Sequence, residues 1–214
     1  MKRSLPCLAV ALLAACKPAI PPPAPAVAEP PATAVAEASA SPVVDAPAMA
    51  PPSFDCAKAE SAAEKLVCGD AELAALDRRL AARYAEAKDA DPAVQRGWAK
   101  GRDDCWKADD LRLCVAEAYR TRLVELAIGA PGYVVPKTVE YRCSDNRQPF
   151  TMVYYNDIDP QAAVMTWGND QAIVFPQPAA SGAKYGRTGI EYWEHQGEAS
   201  VDFFGTKLSC KPVQ

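Results

Sequence analysis

Residues 179–199 read Ala179-Ala180-Ser181-Gly182-Ala183-Lys184-Tyr185, then a short spacer, then Glu191-Tyr192-Trp193-Glu194-His195-Gln196-Gly197-Glu198-Ala199. Small residues, with Pro176 and Pro178 just before them, make Ser181-Gly182 a tight, slender loop. Glycine reaches positive φ, and no bulky side chain blocks its approach to another surface. Tyr185, Tyr192 and Trp193 favour strands after the loop, and Gly197 marks a turn into the strand-like run that ends at Phe204. The surroundings of this loop are therefore β-structure, and the loop is narrow enough to enter a cleft.

Working outward, eight strand-like runs with turn signals between them fill residues 138–214. They are Thr138–Ser144, Phe150–Asn156, Ala162–Gly168, Gln171–Phe175, Ala183–Arg187, Ile190–His195, Ala199–Phe204 and Thr206–Cys210. Val139, Tyr141 and Cys143 alternate with polar neighbours, as do Ala163, Met165 and Trp167, giving one buried and one wet face. So many short antiparallel strands suggest a small closed barrel with a side-chain-filled interior. Periodicity alone does not separate a barrel from a sandwich.

Upstream, residues 54–128 change to helical spacing. Leu73, Leu76, Leu80 and Tyr84 share one face behind Asp70 as N-cap, and Asp91-Pro92 opens a second helix that runs through Trp98 to Trp106. Asp109-Asp110 precede a third, with Leu111, Val115, Tyr119, Leu123 and Leu126, ended by Gly129 and Pro131-Gly132. Trp98, Trp106 and Tyr119 read as core aromatics, and Arg102 with Asp103 as a structural ion pair or surface charges. Residues 129–137 are a short linker. The expected fold class is α+β in two domains, a small helical module of residues 54–128 followed by a small eight-stranded antiparallel barrel of residues 138–214.

The N-terminus has Lys2 and Arg3, an apolar run from Leu5 to Ala15, and Leu13-Ala14-Ala15-Cys16. This is the pattern of a signal peptide, residues 1–15, with a lipobox, in which Cys16 becomes the lipid-bearing first residue. Lys17 in place of Asp resembles lipoproteins sorted to the outer membrane. From Cys16 to Ser53 the chain is Pro, Ala and Val with little else, a composition that builds no core and suits an extended tether. The expected location is the outer membrane, lipid-anchored and facing the periplasm.

Besides the lipidated Cys16, six cysteines remain in the mature chain, an even number suited to an oxidising compartment. Cys143 and Cys210 sit near the two ends of the second domain, where a bridge would close a long loop. Cys56, Cys68, Cys105 and Cys114 pair among themselves, in an order that the sequence leaves open. Zinc would be the rival, but no C-x-x-C pair is present and the single histidine, His195, lies in the other domain. No metal and no cofactor are expected.

The net charge of −4 over 214 residues disfavours nucleic acid. Residues 138–214 carry six Lys/Arg against nine Asp/Glu, a mild attraction for a cationic partner. Ser181-Gly182-Ala183-Lys184 is literally an S-x-x-K string, which serves catalysis when a helix stacks the lysine one turn from the serine. Gly182 and the β pattern oppose that helix, and the companion motifs S-D-N and K-T-G are missing, so no enzyme is expected. His195 has neither a Cys nor a metal spacing to make it part of a triad.

The Ser-Gly-x-x-Tyr loop followed by an aromatic-Trp strand resembles the C-type lysozyme inhibitor family, over roughly Val139 to Cys210. That resemblance implies an eight-stranded barrel whose loop enters the lysozyme cleft, with Ser181 bonding to the catalytic carboxylates. It also implies a cationic contact two residues after the Trp, where this chain has His195 instead of Lys. Gly182, Lys184 and Tyr185 complete the lysozyme-binding set. An unperturbed histidine is mostly neutral at pH 7, so inhibition is expected to be weaker, more pH-dependent, or shared with Lys184.

The order Cys56, Glu64, Cys68, Leu73, Asp77, Tyr84, Trp98, Arg102-Asp103-Asp104-Cys105, Cys114, Tyr119-Arg120 resembles the cysteine-rich helical module of LprI-type lysozyme inhibitors. The function implied is an envelope lipoprotein that plugs C-type lysozyme and protects peptidoglycan. The alternative is a structural or ligand-binding envelope lipoprotein that kept the barrel without inhibition.

Overall fold

The computed structural model describes residues 50–213; the expected signal peptide, Cys16 and nearly all of the tether lie outside the described residues. Four α-helices come first: α1 (Ala62–Gly69), α2 (Ala71–Glu86), α3 (Pro92–Asp103) and α4 (Leu111–Ile128), with short 3-10 turns at Cys56–Lys58 and Asp104–Lys107. Eight strands follow: β1 (Thr138–Cys143), β2 (Phe150–Tyr155), β3 (Ala162–Trp167), β4 (Asp170–Gln177), β5 (Ala183–Arg187), β6 (Ile190–His195), β7 (Glu198–Phe203) and β8 (Thr206–Pro212). The fold is α+β in two parts, and the strands form a closed antiparallel barrel in sequence order.

The helix starts follow their caps. Asp70 accepts from the backbone of Glu72 and Leu73, and Asp91 accepts from Ala93 with Pro92 at the first helical position. Two features differ from the sequence reading. Residues 62–69 form a helix of their own, started by a Ser61–Glu64 capping box. The second predicted helix stops at Asp103, and the 3-10 turn beyond it turns Trp106 outward, so that residue is 64% exposed under the Lys107 ammonium instead of in the core.

The helices close over Val67, Leu73, Val115 and Tyr119, with Trp98 edge-on to Tyr119 at 5.2 Å. A polar chain runs through this core: Arg102 Nη1 donates to Tyr119 Oη (3.0 Å), Tyr119 donates to Asp77 (2.9 Å), and Asp77 accepts from the Ser53 amide (2.6 Å). Arg102 also pairs with Asp103 at 2.7 Å. Disulfides Cys56–Cys68 and Cys105–Cys114 staple the helices.

In the barrel, β1 pairs with β8, and at that seam Cys143 lies opposite Cys210 in register and is bonded to it. Met152, Met165 and Phe150 fill the interior together with Tyr141 and Tyr192. The hydroxyls of Tyr141, Tyr154 and Tyr192 meet in a triangle with sides of 2.8–3.0 Å. Burial pushes the Tyr154 and Tyr192 phenols well above their ordinary values.

Helix α4 is apolar on two sides because it serves two neighbours. One side joins the helical core; the other sets Val124 and Ile128 against Ala162, Phe175 and Ile173 on the barrel wall. Glu117 accepts from the Thr188 amide between β5 and β6 (2.8 Å), and Arg79 pairs with Asp159 in the β2–β3 loop (2.6 Å). Helices and barrel belong to one compact unit. Ser181, Gly182 and the His195 end of β6 take no part in these contacts.

Candidate functional site

Up-and-down connectivity places the β4–β5 and β6–β7 turns at one end of the barrel. The β6–β7 turn is a two-residue one, Gln196-Gly197, with φ of 54° and 79°, the left-handed geometry that matches strand twist. The β4–β5 loop carries Ser181 and Gly182, both exposed. Strand β4 runs on through Pro176 to Gln177, pairing Pro176 with Tyr185, so the loop is shorter than its prolines suggest.

Three contacts fix that loop. Gly182 has φ of 74° and lies so close to β6 that an added Cβ would run into the Glu194 carbonyl oxygen. The Trp193 indole donates to the Ser181 carbonyl at 3.0 Å. Ser181 Oγ lies 3.1 Å from His195 Nδ1, and the imidazole stacks on the Trp193 ring, centroids 5.6 Å apart and planes 17° from parallel. Trp193 and His195 sit two apart on β6, which puts both on the outer face beside the loop. A loop held this way loses little freedom on binding, so more of its contact energy is left for affinity.

The other predicted residues divide. Lys184 pairs with Trp193 in register, but its ammonium goes to Glu191 at 2.7 Å rather than to Ser181. Tyr185 points the opposite way, toward Tyr154 and Tyr192 inside the barrel, at ring distances of 5.4 and 6.4 Å. Across from His195 on β7 is Glu198, which accepts from Ser209 Oγ and lies 3.8 Å from the Lys211 ammonium. Sequence reasoning did not name Trp193 and Glu191 as members of the site. Strand alternation was the available signal, since 191, 193 and 195 must share a face.

The arrangement is a protrusion. A cleft of about 860 Å³ lies elsewhere, among Arg83, Val94, Leu126, Tyr133 and Asp157, and the Ser181 loop forms none of its walls. The exposed end offers a hydroxyl, an imidazole edge and an indole that is 40% exposed. Such a tip suits filling another molecule's groove better than enclosing a small ligand.

Residues 141–209 match a family model described as membrane-bound lysozyme-inhibitor of c-type lysozyme. Lipoprotein LprI of Mycobacterium tuberculosis is 46% identical over 164 residues, covering 74% of this chain and 83% of that protein. The chain belongs to the LprI lipoprotein family. LprI of Mycobacterium bovis matches with the same identity and coverage. A solved structure of Pseudomonas aeruginosa MliC in complex with hen egg white lysozyme is 31% identical, covers 36% of this chain and 81% of its own, and has a TM-score of 0.31. Of this LprI-family chain, the segment matched by the inhibitor model includes the Ser181 loop and all of β6.

Proposed function

We propose that this protein inhibits C-type lysozyme by inserting the Ser181 loop into the active-site cleft. The observation that carries this is the exposed loop itself, fixed by Trp193, His195 and the Gly182 backbone between β4 and β5, within the segment that matches the inhibitor family. A glycosidase works with two carboxylates about 5 to 10 Å apart, so a loop that bonds either one and fills the neighbouring subsites stops turnover. Ser181 brings a hydroxyl and Gly182 the slimness to reach it. Lys184 and His195 stand at the edge of the contact, and Tyr185 braces β5 from within.

In this proposal the helical module of residues 54–128 and the barrel of residues 138–214 are carried on a Pro/Ala-rich tether from a lipid on Cys16. The protein sits in the outer membrane, faces the periplasm and protects peptidoglycan there. The test is lysis of peptidoglycan by a C-type lysozyme with the mature chain bearing Cys16→Ser, beside the same chain with Ser181→Ala. The parent should block lysis and the variant should lose most of that block. Inhibition that survives Ser181→Ala would move the activity to another surface, and no inhibition by either would favour a structural or ligand-binding lipoprotein.

A further inference from the structure

The Ser181–His195 contact bears on which way Ser181 can use its proton. A serine hydroxyl has one hydrogen to give, and a neutral imidazole has one ring nitrogen that accepts and one that donates. At 3.1 Å, one of the pair must donate to the other. If Nδ1 is the bare nitrogen, Ser181 spends its hydrogen on His195 and turns only lone pairs outward. A carboxylate approaching the loop then meets lone pairs on both sides. Once the ring is an imidazolium, Nδ1–H donates to Ser181 Oγ, and the serine hydrogen is released to point out of the loop.

We propose that His195 is the positioning residue that sets the donor direction of Ser181, so that the loop bonds a partner carboxylate strongly only when His195 is protonated. This rests on the proposed loop-in-cleft contact, and differs from a direct ionic role for His195 in that the proton acts through Ser181. The surrounding charges leave His195 as the group that reaches Ser181. Lys184 on β5 is engaged by Glu191 on β6, Glu194 is the neighbour on β6, and Glu198 on β7 is shared by Ser209 and Lys211 on β8. The stack on Trp193 holds the ring edge toward the loop.

Uptake of one proton on binding makes affinity rise as pH falls through the range where imidazoles titrate, by up to about tenfold per pH unit. The enzyme's own general acid can titrate near pH 6, so the decisive quantity is the difference between two inhibitors against one enzyme. Dissociation constants would be measured by calorimetry from pH 8 to pH 5.5 with hen egg white lysozyme, for the parent, His195→Gln and His195→Lys. Both replacements offer Ser181 an N–H donor at every pH, so relative to them the parent should gain about tenfold or more between pH 8 and pH 5.5. Parallel profiles would overturn the role of His195 while leaving the loop-in-cleft contact standing. A failure of all three to bind would instead remove the contact itself. On the free protein, nitrogen NMR should show Nδ1 unprotonated at pH 8, and a protonated Nδ1 there would overturn the inference whatever lysozyme does.

Discussion

The helical part and the barrel solve the problem of a small core in opposite ways. The helices bury charge: Arg102 and Asp77 are both over nine-tenths buried, joined through the Tyr119 hydroxyl, and a second set of pairs links Arg112 to Asp70 and Glu72 on the surface. The barrel buries neutral hydroxyls, with three tyrosines satisfying one another. The helices use two short disulfides, spanning 12 and 9 residues, whereas the barrel uses one that spans 67. A ring of strands satisfies its own backbone, and needs only its seam secured. A module of four helices this small has little apolar area to share, and needs directional links as well.

The largest test of this contrast is removal of the staples. In the chain-entropy model a loop of this length is worth about 4 kcal/mol, against about 3 kcal/mol for each short one. Cys143→Ala with Cys210→Ala should therefore cost more in chemical denaturation than Cys56→Ala with Cys68→Ala. Equal costs would mean that the seam holds without its bridge. Next in size is a matched deletion of one hydroxyl from each half. Tyr119→Phe removes the shared partner of Arg102 Nη1 and Asp77 Oδ1, two charged groups that keep Asp103 and the Ser53 amide respectively, and should cost about 2–3 kcal/mol. Tyr192→Phe breaks bonds between neutral hydroxyls and should cost about 1–2 kcal/mol. If Tyr192→Phe proves the more damaging, the tyrosine triangle matters more than the charged chain.

The smallest effect concerns acid. Backbone amides at Ser61 and Glu60 hold the Glu64 carboxyl below its ordinary range, and Arg112 does the same for Asp70 and Glu72. Their contribution is present above the usual carboxylate range, about pH 4, and is lost as pH falls through the lowered values. In the barrel, Asp145 is held at about 2 by Arg147, but that pair is two residues apart in one turn and has little to do with barrel closure. Amide exchange on an acid ramp should accordingly rise in α1 and α2 before it rises in β6. A barrel that loosens first would break the comparison.

Much of the barrel was legible because strands advertise themselves with period-two alternation: Tyr141 and Cys143, then Ala163 and Met165, point inward as their spacing requires. What periodicity could not show is that β3 is buried on its other face too. Ala162 is covered from outside by Val124 of α4, and a packing partner on a distant helix leaves no mark on a strand's own pattern. Helix α1 was signalled by Ser61-x-x-Glu64, but eight residues hold too few apolar positions for helical spacing to stand out. Trp106 shows the limit of composition, since tryptophan is usually buried and here a 3-10 turn rotates it to solvent. At the site, Gly182 and Ser181 could be read directly. The grip of Trp193 on the loop and the capture of Lys184 by Glu191 depend on register, which is fixed by the closed ring and not by any single strand.

The contacts of residues 50–53 give the molecule a load path. Arg78 holds the Ala50 and Pro51 carbonyls at 2.6 and 2.8 Å, and Asp77 holds the Ser53 amide. A pull arriving along the chain from before Ala50 is taken first by α2, then by Tyr119 and Arg102 through their shared bonds. The strands that flank Ser181 follow the helices in the chain and lie beyond those contacts, so such a pull would load the helices before the barrel.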